Sequence, residues 1–154
     1  MNRVALLIFF LVVNFGGLAI GSWLMNSGPG SSWYLELNKA PWTPPGWVFG
    51  VAWTLIMICF SIYLAFLFSK EKSTEKRWIF ILALIFNVSW NYIFFNQQLT
   101  AWALVNIIIL TVLIFYFFFR FNTDKLRIYR LLLLPYMIWL CLATSLNAYI
   151  VFNN

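Results

Sequence analysis

Histidine is absent from this chain, and acidic residues number only four. General acid–base catalysis therefore lacks its usual participants. A metal centre has no legible ligand set, and a haem would have only Cys, Met or Tyr to hold it. Charge is scarce as well: 9% of residues are charged, against about 25% in an ordinary soluble domain. No Asp, Glu, Lys or Arg falls in the middle of an apolar run, which argues against a proton relay or an ion-coupled pump. The two cysteines, Cys59 and Cys141, each lie inside such a run and read as small core residues, not as a disulfide.

What is present is apolar surface. The chain is 64% hydrophobic and 21% aromatic, more than a water-facing surface can cover, so the bilayer must be its solvent. A spanning helix needs about 20 apolar residues. Five segments qualify: about residues 4–25, 46–68, 78–95, 101–119 and 128–152. The reading is an all-α integral membrane protein, a bundle of five transmembrane helices forming one domain over residues 1–154, with a capping loop at 26–45. The first segment is too long for a signal-peptide core and lacks a small-x-small cleavage site, so it is expected to be retained.

The connectors divide the net charge of +6 unevenly. Arg3, Lys70, Lys72, Lys76, Arg77, Arg120, Lys125, Arg127 and Arg130 fall on one side of a five-span chain, and only Lys39 falls on the other. Positively charged loops stay in the cytoplasm. The expected orientation has a cytoplasmic N-terminus, with the first loop and the C-terminus outside. The basic charge is thus topogenic and no nucleic-acid partner is expected; the loop KEKSTEKR is free to touch anionic lipid.

The stretch APWTPPGWVFGVAWT, Ala40 to Thr54, places rigid residues at the mouth of the second span. Pro44 and Pro45 suit the first turn of a helix, and Thr43 suits its N-cap. Trp47 fits an interface anchor, as does Trp42. Trp53 lies about two turns inside and shares a face with Phe49, which fits either a pocket wall or plain packing. In NVSWNYIFF, Asn87, Trp90, Asn91 and Phe94 form one stripe. Asn in hydrocarbon needs a partner, so that stripe faces the bundle. In PYMIWLCLATSLNAYI, Trp139, Ala143 and Asn147 form another, flanked by Tyr136 and Leu146. Polar and small residues also act as helix–helix glue, but glue does not require three inward tryptophans. Gly17 and Gly21 allow close helix approach, either inside the bundle or in a dimer, and Gly46 and Gly50 carry the same ambiguity.

Those three blocks, in that order and at that spacing, resemble the TspO/MBR family of tryptophan-rich sensory and translocator proteins over nearly the whole chain. The resemblance implies a five-helix bundle, commonly a homodimer, with a ligand cavity beneath the first loop. It implies porphyrins such as protoporphyrin IX, and benzodiazepine-type compounds, as ligands rather than as a required cofactor. It also implies light-dependent oxidative breakdown of protoporphyrin in some bacterial members, with tetrapyrrole transport or a sensor role as alternatives. Carried over by position, the ligand site comprises Ser22, Trp33, Tyr34, Pro44, Phe49, Trp53, Asn87, Trp90, Phe94, Trp139, Leu142, Ala143 and Leu146. Trp53 and Trp139 are the candidate redox residues. The animal sterol motif is incomplete: Leu146 and Tyr149 are present, but no basic residue follows. The absence of transit features points to the plasma membrane.

Overall fold

A computed structural model describes residues 2–154. Among the described residues, five helices are long and apolar enough to cross a bilayer. Helix α1 spans Arg3–Leu24, α3 Gly46–Lys70, α4 Glu75–Asn91, α5 Thr100–Arg120 and α6 Leu134–Asn153; a short α2, Ser32–Glu36, lies in the first loop. They form a closed ring in which α1 touches α3 and α4, α4 touches α5, α5 touches α6, and α6 returns to α3. The protein is a multi-pass, all-α membrane bundle.

The helix ends follow local chemistry. The Asn2 side chain accepts from the Ala5 N–H at 2.8 Å and starts α1. Asn26, in the left-handed region at φ 55°, ends it. Beyond α1, the turn Gly28–Gly30 leads into α2, where Ser31 accepts from the Tyr34 N–H at 3.2 Å. The third span runs past Asn91 through a π turn, Tyr92–Asn96, in which the Gln97 N–H reaches back to the Tyr92 carbonyl at 2.9 Å. The last span is entered through a 3-10 turn, Tyr129–Leu133. Pro135 explains it: the missing N–H cannot bond the Leu131 carbonyl, and the ring crowds that carbonyl, so the preceding backbone tightens.

Two expectations about boundaries need correction. Pro44 and Pro45 are not in the first turn of a helix, and Thr43 is not its N-cap. The helix begins at Gly46, after both prolines, with Pro45 extended at φ −56°, ψ 149°. A residue preceding proline is pushed out of the helical region, and here both Thr43 and Pro44 precede one. Thr43 instead donates its hydroxyl to the Ala40 carbonyl at 2.7 Å, closing a separate turn. The α3 and α4 spans also reach Lys70 and Glu75, further into KEKSTEKR than apolar counting suggested, because polar helix ends remain hydrated in the headgroup layer.

The core has two levels. Near the basic end and middle, Phe10, Ile56, Phe60, Phe80, Phe117 and Tyr136 are buried together. Nearer the first loop, Phe94, Ala103 and Ile150 form a smaller core, covered by Trp33, Tyr34, Leu37 and Trp90. Gly17 and Gly21 are used inside the ring. A Cβ at Gly17 would stand 2.9 Å from the Leu84 side chain, and one at Gly21 2.6 Å from the Asn91 amide. These glycines bring α1 against α4. By contrast, a Cβ at Gly46 or Gly50 would meet nothing within 4 Å. Cys141 is exposed on the outer face of α6, which corrects its reading as a core residue, and Cys59 is partly covered.

Candidate functional site

The aromatic stripes meet in two groups. The first joins α3 to α6. Phe49 stands edge-on to Trp139 with ring centroids 5.2 Å apart. One turn deeper, Trp53 stands edge-on to Tyr136 at 5.8 Å and to Trp139 at 6.4 Å. The four-residue spacing of Phe49 and Trp53 aims both at α6. Trp139 and Tyr136 are buried, and Phe49 and Trp53 are half-buried. Edge-to-face packing sets each ring's positive rim against another's negative face.

The second group lies under the loop. Trp90 and Phe94 are stacked at 4.8 Å with planes 15° apart. Helix α2 places Trp33 5.7 Å and Tyr34 6.3 Å from the Phe94 ring. Burial of Tyr34 pushes its phenol above its ordinary pKa of 10.0.

Polar side chains tie the groups together. Asn87 on α4 donates its amide to the Tyr136 hydroxyl on α6. The Trp90 indole N–H donates to Asn147 Oδ1 at 3.0 Å, and Asn147 Nδ2 donates to the Thr100 carbonyl at 2.9 Å. Asn147, 2% exposed, is the buried centre of this relay across α4, α5 and α6, and Trp90 and Thr100 at its ends are half-buried. Below it, a small cavity of about 10 Å³ is lined by Asn14, Asn87, Tyr136 and five apolar residues, Met57, Phe60, Phe80, Ala83 and Leu84.

The first loop is fastened over this region. Asn38 and Asn154 exchange two hydrogen bonds: the Asn38 N–H donates to Asn154 Oδ1 at 2.8 Å, and Asn154 Nδ2 donates to the Asn38 carbonyl at 3.1 Å. The Trp42 indole donates to Ser145 Oγ at 3.1 Å and its ring meets Tyr149 at 5.4 Å. Lys39 Nζ donates to the Tyr34, Leu35 and Leu37 carbonyls at 2.9, 3.2 and 3.3 Å, closing the end of α2. Thus the single basic residue at this end is spent on the loop's own backbone.

Twelve of the thirteen sequence-derived site residues fall in or beside this region, by the arrangement of their helices. The structure brings together Trp33, Tyr34, Trp90 and Phe94 as one set, and Phe49, Trp53 and Trp139 as the other. Leu142 and Ala143 pack on the main core beside Trp139, and Leu146 is buried on the same helix. Asn87 reaches the site through Tyr136, and Pro44 lies half-buried in the approach to α3. Ser22 is exposed on α1 and takes no part in either group of ring contacts. Sequence reasoning left Asn147, Tyr136, Phe95 and Trp42 out of the site. Asn147 and Tyr136 were visible on the α6 stripe. Phe95 packs against Tyr34 at 5.3 Å, and only the π turn brings it there. Trp42 read as an interface anchor because nothing in sequence connects it to Ser145.

A five-span bundle with an aromatic interior under a fastened first loop defines a class of small membrane proteins. The sequence profile of the TspO/MBR family matches residues 9–152. Similarity extends to the tryptophan-rich sensory protein of Cereibacter sphaeroides, 32% identical over 75% of this chain and 72% of that protein. It extends to the translocator protein of Homo sapiens, 32% identical over 85% of this chain and 79% of that one. The tryptophan-rich protein TspO of Bacillus cereus is 26% identical over 96% of this chain and 94% of its own length. The chain belongs to the TspO/MBR family.

Proposed function

We propose that the protein binds a large, flat, apolar tetrapyrrole such as protoporphyrin IX between its first loop and the α3–α6 aromatic wall, and that light then drives oxidative loss of the bound porphyrin. The observation that carries this reading is the convergence of Phe49, Trp53, Tyr136 and Trp139 on one another. Four rings on two helices, with no Asp, Glu, Lys or Arg among them, recognise a ligand by shape and stacking. The rings now fill one another's space, so a ligand enters by lifting the loop and parting Phe49 from Trp139. Benzodiazepine-type ligands, also flat and apolar, suit the same wall. Lifting the loop would break the bonds of Asn38, Lys39 and Asn154 to the loop backbone and to each other, and so release these groups for porphyrin propionates. The basic end faces the cytoplasm, as the distribution of Lys and Arg favours.

The chemistry needs no acid or base. A light-excited porphyrin accepts one electron from an indole, Trp53 or Trp139, leaving the indole one electron short. The reduced porphyrin passes that electron to dioxygen from solution, giving superoxide. The indole radical then takes one electron back from the porphyrin and is restored. The porphyrin radical cation combines with superoxide, so that both oxygen atoms end on the macrocycle. The test is a titration of the detergent-solubilised protein with protoporphyrin IX, first in darkness and then under illumination, following tryptophan quenching and the porphyrin absorption band. Saturable binding followed by light-driven loss of the band is expected. In the Trp53→Phe/Trp139→Phe variant, binding and helix content persist while the light-driven loss slows severalfold. Unchanged photodegradation in that variant would remove the tryptophans from the chemistry. Saturable binding with no loss of the band would instead favour translocation or sensing.

A further inference from the structure

At the end of the bundle away from the first loop, an open cleft of about 450 Å³ is lined by Asp124, Arg127, Ile128, Arg130 and Leu131. We propose that this cleft is a binding site for the headgroup of an anionic phospholipid, with the phosphate held between Arg127 and Arg130 and the acyl chains lying along the outer face of α6.

Charge is the first argument. Several basic side chains at this end already have partners. Arg120 Nη2 lies 3.1 Å from Glu75 Oε2, Lys76 bonds the Glu71 carbonyl, and Arg3 lies 4.7 Å over the Phe66 ring. The two arginines of the cleft keep their charge unpaired, although Arg130, like Arg3, rests on a ring. Neither forms an ion pair among the described residues. Arg130 is oriented by an aromatic ring, its guanidinium carbon 4.7 Å from the Phe118 centroid. Its Nε is buried and has no hydrogen-bond partner among the described residues. The ring holds the guanidinium in place, and no carboxylate lies within ion-pair distance of it among the described residues. The lining carries two arginines and one aspartate, a net charge of +1, so it suits one anionic group. A guanidinium fork matches a phosphate in geometry as well as charge.

Apolar surface is the second argument, and it selects a lipid over free phosphate. Ile128 is 70% exposed and Leu131 49%, both lining the cleft. Leu134 and Ile138 continue that exposure upward at 37% and 69%, and Cys141 follows. Positions 131, 134, 138 and 141 share one helical face. An apolar track therefore leaves the arginine pair and runs along α6 into the hydrocarbon layer. Soluble phosphate has no use for such a track, whereas an acyl chain does. Basic pockets at the membrane boundary of helical bundles are where anionic headgroups are held.

The experiment uses the full chain purified in neutral detergent. Native mass spectrometry would compare retention of phosphatidylglycerol with that of phosphatidylcholine, for the parent protein, for Arg127→Gln/Arg130→Gln, and for Lys70→Gln/Lys72→Gln, which removes the same charge elsewhere. The parent and the lysine variant should retain phosphatidylglycerol about tenfold better than phosphatidylcholine, and the arginine variant should lose that preference. Should the double arginine variant fail to fold, Arg127→Gln alone, at an exposed position, should weaken the preference. Equal loss in the lysine variant would overturn the site in favour of diffuse attraction. Displacement of phosphatidylglycerol by millimolar inorganic phosphate would overturn the role of the apolar track.

Discussion

At the loop end of the bundle, Asn38, Trp42, Ser145, Asn147 and Asn154 hold the structure through neutral amides, an indole and a hydroxyl. At the opposite end, Arg120, Glu75, Lys76 and Arg3 do the same work through charge and cation–ring contacts. Both ends must satisfy backbone and side-chain polarity where water runs out. They differ in what each leaves free. The amide end consumes its polar groups internally and offers aromatic surface. The charged end offers guanidinium groups at the membrane boundary. The proposed flat apolar ligand would be served by an interior free of fixed charge, and the aromatic groups at the loop end contain no Asp, Glu, Lys or Arg.

The contrast can be broken most severely at Asn147. Asn147→Leu removes the acceptor of the Trp90 indole and the donor to the Thr100 carbonyl, two partly buried bonds made by a buried amide. Interhelical hydrogen bonds in membranes average about 0.6 kcal/mol each, so loss of the pair should cost about 1–2 kcal/mol. Thermal unfolding in detergent would measure it, and the loss should not vary with salt. A smaller effect is expected at the charged end. Arg120→Gln breaks the pair with Glu75, whose side chains are 53% and 33% exposed. Such a pair is worth about 0–1 kcal/mol and fades as ionic strength rises. Equal salt dependence in the two variants would contradict the division drawn here.

The smallest effect lies at Tyr34. Its folded pKa is raised above 10.0 by burial. The stability it confers is therefore intact below that value and declines as pH rises past it towards the folded pKa. Loop docking, read from Trp33 fluorescence, should loosen only in strongly alkaline solution, and Tyr34→Phe should flatten that dependence.

The spans were legible because apolar runs of this length have one physical outcome in a bilayer. The α3, α4 and α6 stripes were legible for a related reason: an Asn or Trp at helical spacing must face something, and Asn87 and Trp90 do. What sequence could not supply was set by single backbone details. Two consecutive prolines moved the start of α3 beyond Thr43. A π turn rotated Phe95 towards Tyr34. Trp42 was hidden for another reason, since its partner Ser145 lies 103 residues away. Ser22, carried over from a family pattern, stands exposed on α1, away from the ring contacts of the two aromatic groups.

The paired amides of Asn38 and Asn154 have a consequence for biosynthesis. They are separated by 116 residues, so the loop emerges early while its fastening emerges only after α6. Through the insertion of three further spans, the tryptophans of the nascent chain stand uncovered. The loop can be sealed only when α6 has entered the bilayer. The assembly step that completes the bundle is therefore also the one that shuts its aromatic interior.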